Sequence, residues 1–239
     1  MESVLNRELL TENLHAMSLT CTDSQMDQLE AYAALLVEWN QKMNLTAITS
    51  PDGIAVLHFA DSLSLLTALP LQGDERLLDV GTGAGFPAIP LKIMRPALQL
   101  TMMDSLNKRL TFLNHVCDQL ELRAKTIHGR AEEGAHTPAL REQFDVVTAR
   151  AVASLQVLAE YCLPYVKVGG TFAAMKGPSC PEELEQAKNA IATLGGKVER
   201  VVSLTLSDGS VRHIALIKKV AATAKTYPRH GSKIAKKPL

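Results

Sequence analysis

Residues 76–87, RLLDVGTGAGFP, bring three glycines together within five positions, directly after an acidic, apolar run. Arg76 to Val80 reads as a buried strand, Gly81 to Gly85 as a tight loop, and a helix follows. Gly81, Gly83 and Gly85 let the backbone take positive dihedrals and come close to a ligand. In doubly wound sheets the first strand-to-helix loop borders the ligand crevice. The spacing selects the ligand. A dinucleotide loop runs GxGxxG, and its third glycine counted from Gly81 would fall where Phe86 stands. A nicotinamide-dependent oxidoreductase is therefore disfavoured. The pattern present is DxGxGxG, from Asp79 to Gly85.

Three further positions extend the site. Asp104 closes the apolar run LTMMD, where an acid accepts hydrogen bonds from ribose hydroxyls or caps the next helix. The stretch Gly129-Arg130-Ala131-Glu132-Glu133 follows a third strand, where backbone groups at Ala131 and Glu132 would border an adenine or simply open a solvated acidic helix. Arg150 ends a fourth strand, FDVVTAR, and an arginine there faces the crevice, placed to hold a carboxylate or a phosphate. DxGxGxG resembles motif I of the class I methyltransferases, in which the loop lies under the amino-acid part of S-adenosyl-L-methionine.

The possible acceptors differ in what they demand. Methylation at a pyrimidine carbon needs a cysteine nucleophile, and none of Cys21, Cys117, Cys162 and Cys180 sits in a suitable loop after a strand. Exocyclic amine chemistry uses an Asn/Asp-Pro-Pro-aromatic box, which the fourth strand lacks. A ring nitrogen such as N7 of guanine attacks with its own lone pair and needs no base, only alignment.

The elements that must position these groups alternate. Strands fit 75–80, 98–103, 124–128, 144–149 and 170–175, with helices over 87–95, 106–120, 154–163 and 181–194. Two last strands, 197–204 and 211–218, are joined by the turn residues Ser207, Asp208 and Gly209. This pattern predicts an α/β fold: a Rossmann-like doubly wound sheet, mostly parallel with an antiparallel edge. Ahead of it, helical spacing covers 2–17 and 24–43, with Thr22 or Asp23 as N-cap, and a third helix from Pro51 to about Leu69. In the second, Met26, Leu29, Ala33, Leu36, Val37 and Trp39 form an apolar stripe read as core. The division is 1–72 as a helical extension, 73–220 as the methyltransferase domain and 221–239 as a basic tail.

Net charge is zero but uneven: 1–72 carries nine acids against two bases, while 221–239 carries five bases and no acid. The tail, rich in lysine, proline and glycine, is expected to be a mobile arm for a polyanion or a solvated end. The acidic extension instead suits a small-molecule or protein acceptor, the main alternative to RNA. No apolar run approaches the ~20 residues of a membrane helix, MESVLNRELL has no signal-peptide pattern, and no cysteine has metal-ligand spacing. A cytoplasmic monomer with free thiols and no metal is expected.

Longer stretches are more specific. WNQKMNLTAIT at 39–49, HFADSL at 58–63, LLDVGTGAGFPAIPLKI at 77–93, DSLNKRLTFL at 104–113, GRAEE at 129–133, TARAVASL at 148–155, MKG at 175–177 and YPRHGSKIAKKPL at 227–239 resemble the RsmG family, also called GidB, of 16S ribosomal RNA guanine-N7 methyltransferases. Ala84 and Ala88 depart slightly from its pattern, at positions where it often has proline and glycine. The resemblance implies S-adenosyl-L-methionine contacts at Gly81, Phe86, Ala131, Glu132 and Arg150. It implies RNA or active-site roles for Asn44, His58, Asp61, Arg130, Lys176 and Arg212, and a substrate of 16S ribosomal RNA within a small ribosomal subunit or its precursor. Asn44 could equally end the second helix, and His58 and Asp61, at i and i+3, could simply share a helix face. A non-catalytic ribosome-binding protein of the same fold also fits.

Overall fold

The computed structural model describes residues 3–150 and 153–239; Ala151 and Val152, within the TARAVASL stretch, and the expected start of the first helix at Glu2 lie outside the described residues. Helix α1 (Arg7–Ala16) starts at Asn6, whose side chain accepts from the Leu9 N–H. Helix α2 (Asp23–Met43) opens with a capping box between Thr22 and Gln25 and ends at Asn44, in the left-handed region at φ 48°. Its buried residues Met26, Leu29, Tyr32, Ala33 and Leu36 keep helical spacing.

The third helix is not regular. It comprises α3 (Pro51–Gly53), a π-helical segment Ile54–Ala60, α4 (Asp61–Leu63) and α5 (Leu65–Ala68). A π segment widens the helix by one residue and changes which side chains share a face, and such segments concentrate at functional sites. Both His58 and Asp61 are buried here.

The remainder alternates: β1 (Arg76–Val80), α6 (Ala88–Met94), β2 (Gln99–Asp104), α7 (Asn107–Gln119), β3 (Ala124–His128), α8 (Ala131–Gly134), β4 (Phe144–Arg150), α9 (Leu155–Cys162), β5 (Val166–Lys176), α10 (Cys180–Thr193), β6 (Gly196–Thr205), β7 (Val211–Lys219) and α11 (Gly231–Lys236). The seven strands form one sheet in the order β3-β2-β1-β4-β5-β7-β6. Neighbours from β3 to β5 are parallel, and β7 pairs antiparallel with both β5 and β6. The order reverses between β1 and β4, and ligands bind beyond the carboxyl ends of strands at such a switch point.

Both faces are covered, and period-two alternation divides the strand residues between them. Leu77, Met102, Val146 and Ala173 join α2, α6 and α7 in one core, while Leu78, Met103, Val147 and Phe172 join α9 and α10 in the other. The helical extension thus completes the core over one face of the sheet.

The tail is docked, contrary to the expected mobile arm. Arg229 donates from Nη2 to Glu160 Oε2 at 2.6 Å, Arg141 binds the carbonyls of Tyr227 and Thr223 at 2.9 and 2.7 Å, and Ile234 is fully buried. Composition reports the lysines but not the buried carboxylate on α9 that needs a cation.

Candidate active site at the carboxyl edge of the sheet

The glycine loop leaves β1 with Gly83 at φ 58° and Gly85 at φ 97°. At Gly83 the conformation matters, since a Cβ there would meet only the Gly81 carbonyl, at 3.9 Å. At Gly85 space is also closed: a Cβ would lie 2.7 Å from Leu113 and 2.8 Å from the Tyr32 hydroxyl. Tyr32, which the sequence did not single out, donates its hydroxyl to the Ala84 carbonyl and so bolts α2 to the loop.

Asp104, at the end of β2, knits this edge together. Its carboxylate accepts from the Gly83 N–H at 3.0 Å, the Leu106 N–H at 2.9 Å and Arg109 Nη1 at 3.2 Å. Of about four acceptor positions on a carboxylate, three are taken. Asp104 thus organises the turn ahead of α7 without capping that helix, whose N-cap is Leu106, and it lines the cavity.

That cavity, of about 570 Å³, lies above the switch point. Gly81, Gly83, Phe86, Asp104, Ala131, Glu132, Arg130 and Arg150 all line it, as do Gly129 and Arg109. Glu132 is buried, whereas the Arg130 side chain is largely exposed at the mouth. Leu45, Thr46, Ser105 and Tyr161 also line it and were not singled out from sequence. Three expected residues, Asn44, Gly85 and Asp79, are not in its lining. Asn44 is exposed and ends α2, turning the chain so that Leu45 and Thr46 reach the cavity. Gly85 and Asp79 lie behind the wall. Asp79 is fully buried, neither of its carboxylate oxygens has a hydrogen-bond partner, and Thr82 Oγ1 beside it has none either. Burial pushes the Asp79 carboxyl up to about 7, against the opposing charge of Arg150.

A second cavity of about 510 Å³ adjoins the first, and the two share His58 and Arg150. Its lining includes Asp61, Lys176, Glu183 and Arg212. Asp61 receives Arg150 Nη1 at 2.8 Å on one oxygen and Arg212 Nε at 3.1 Å on the other. Arg150 Nη1 also donates to the Leu57 carbonyl at 3.1 Å. Lys176 pairs with Glu183 at 2.7 Å. His58 lies flat on Phe86, with ring centroids 4.3 Å apart and planes at 9°, and its Nε2 is 3.0 Å from Thr46 Oγ1. Burial, and then the charge of Arg150, lower its pKa to about 4, so the ring is neutral at neutral pH. Trp39 is partly buried and packs on Phe112 and His115 against the core. Among the described residues no helix is long and apolar enough to cross a membrane.

A family model described as rRNA small subunit methyltransferase G (GidB) matches residues 25–215. The ribosomal RNA small subunit methyltransferase G of Alkaliphilus oremlandii is 45% identical over 235 residues, 98% of each chain. That of Lachnoclostridium phytofermentans is 49% identical over 230 residues, 95% of each chain. Among solved structures, TrmN from Thermus thermophilus aligns with a TM-score of 0.52 at 18% identity, over 66% of this chain and 48% of its own. The PH0226 protein from Pyrococcus horikoshii aligns at 0.54 and 13%, over 76% and 98%. At such identities the likeness speaks to the fold alone, the class I methyltransferase sheet. With a family model spanning most of the chain and relatives 45% and 49% identical over nearly all of it, the protein is a methyltransferase of the rRNA small subunit methyltransferase G (GidB) family.

Proposed function

We propose that the protein transfers the methyl group of S-adenosyl-L-methionine to N7 of a guanine in 16S ribosomal RNA. Its relatives' names support the RNA substrate, and within the molecule the reading rests on two cavities that meet at His58 and Arg150. The donor belongs in the first, where it supplies an electrophilic methyl. Gly81, Gly83 and Phe86 would hold its amino-acid end. Asp104, with one acceptor position left, would take a ribose hydroxyl, and Ala131 and Glu132 would border the adenine. The acceptor base belongs in the second cavity.

The side chains at the shared wall suit an acceptor that needs no base. His58 is a weak proton acceptor with its pKa near 4, and Asp79 does not line either cavity. The cations Arg150, Arg212 and Lys176 are each paired with a carboxylate. Asp61 in particular offsets the field of two arginines, which reduces repulsion of the positive charge that forms on a methylated guanine ring. What remains for the protein is alignment, which can be worth several kcal/mol. A stacked base must first be exposed, so the target lies in a loop or bulge of the small subunit or its precursor. The enzyme acts as a cytoplasmic monomer, in the compartment where subunits form.

The test is to incubate the purified protein with donor and small-subunit RNA or particles and to map N7-methylguanine. One modified guanine in 16S RNA is expected. Methyl groups recovered only in a protein or small-molecule fraction would overturn the RNA assignment.

A further inference from the structure

The docked tail forms a specific surface. Arg229 binds the fully buried Glu160 three ways: its backbone N–H reaches Oε1 at 2.7 Å, Nε reaches Oε1 at 2.9 Å and Nη2 reaches Oε2 at 2.6 Å. Its Nη1 also donates to the Lys237 carbonyl at 3.1 Å, so one arginine secures both the approach to α11 and its far end. Ile234 is buried, Gly231 is half-buried, and a Cβ on Gly231 would collide with the Glu132 carboxylate. At helical spacing the exposed Lys233 and Lys236 then fall on the side away from Ile234, and the exposed Lys237 follows directly after the helix. Among the described residues none of the three is in an ion pair, and residues 221–239 contain no acid to neutralise them.

We propose that this lysine face is a preformed platform for the phosphate backbone of the RNA substrate, held in place by the Arg229–Glu160 clamp. The proposal rests on the RNA reading above. Arg130 and Tyr161 line both the donor cavity and the hollow at the foot of α11, so the helix that carries the lysines stands beside the adenine end. The acceptor cavity adjoins the other end, at His58 and Arg150. The RNA is therefore gripped at two separated points, and phosphate contacts at the platform set its register for the base. Because the helix is already clamped, only the lysine side chains, and not the backbone, have to be ordered on contact.

The test compares two variants of the full chain, measuring 16S RNA and small-subunit affinity against salt, and donor affinity by calorimetry. The triple variant Lys233→Gln, Lys236→Gln, Lys237→Gln changes only exposed side chains. It should weaken RNA binding about tenfold or more near physiological salt and flatten the salt slope by about two, with donor affinity unchanged. Arg229→Ala should weaken both RNA and donor binding, since Gly231 no longer seats against Glu132. A wild-type salt slope and affinity in the triple variant would overturn the platform. Weaker binding to assembled subunits with unchanged binding to protein-free RNA would assign the face to a ribosomal protein instead, and overturn it as stated. If the wild type itself bound no ribosomal RNA, the RNA reading would fall first, a result distinct from the other two.

Discussion

Arg150 Nη1 donates to Asp61 Oδ2 at 2.8 Å, joining two residues 89 positions apart in the chain at the wall between the cavities. Arg212 takes the other Asp61 oxygen, so one buried carboxylate fixes two guanidinium groups. Arg150 also lies over Phe86, its Cζ 5.1 Å from the ring centroid. Its orientation is thus set by the helical extension and the glycine loop together.

Removing Asp61 should be costly for that reason. Asp61→Ala leaves two largely buried arginines without their partner and should destabilise the fold by roughly 3–5 kcal/mol, measured by denaturant unfolding. Arg150→Lys keeps the charge and loses the planar fork, so single-turnover methylation should slow while the protein stays folded. Full activity in Arg150→Ala would remove this residue from the site.

Alignment without a general base has its own signature. The single-turnover rate of the wild type should be nearly flat between about pH 6 and 9, because neither the acceptor nitrogen nor the neutral His58 titrates there. A rate rising log-linearly with pH would require a deprotonation and count against a ring-nitrogen acceptor.

His58 and Asp79 should tilt stability in opposite directions. His58 has a folded pKa near 4, below its ordinary 6.5, so the unfolded chain binds the extra proton between those values and stability falls as pH drops through that window. Asp79 has a folded pKa near 7, above its ordinary 3.8, so its contribution is full below about 3.8 and is lost as pH rises to 7. Asp79→Asn should therefore gain on the wild type as pH rises toward 7, and His58→Gln should gain on it as pH falls toward 4. Each difference should be on the order of 3 kcal/mol at the far end of its window. Melting temperatures between pH 4 and 8 would read both, and parallel curves would show that neither group titrates as described.

Two glycines of one loop should respond differently. Gly83→Val meets open space but an unfavourable φ, so the chain should fold while donor affinity drops at least about tenfold, roughly 1.4 kcal/mol. Gly85→Ala forces a methyl group against Leu113, Ile89 and Tyr32 and should cost about 2–4 kcal/mol of stability. Calorimetry with S-adenosyl-L-methionine and unfolding curves separate the two; unchanged donor affinity in Gly83→Val would detach this loop from the donor.

Much of this architecture was legible in the residues alone. Strands read at 75–80, 98–103, 124–128 and 144–149 end within a residue of β1, β2, β3 and β4; for β1, β2 and β4 this is because a buried parallel strand is a largely apolar run bounded by turn residues, while the edge strand β3 is only partly buried. The closing hairpin and its turn at Ser207–Gly209 were equally plain. The glycine loop carried its own chemistry, since the need for positive φ is written directly in residue type.

Other features were decided only when distant segments met. The π-helical stretch Ile54–Ala60 cannot be told from an α-helix by hydropathy, yet it lies within the segment that brings His58 to Phe86 and Asp61 to Arg150. Asp79 read as a ligand group because it opens the motif; in the fold it is not in the cavity lining and is buried without a hydrogen-bond partner. The tail read as loose because its composition is polar; it docks because Glu160, 69 residues away in the chain, is buried on α9 and needs a cation. Local pattern determines which elements form, since periodicity and turn chemistry act over a few residues. Which charges pair, and which side chains share a cavity, depends on how the loops converge at the carboxyl edge of the sheet, where partners come from segments that no local pattern links.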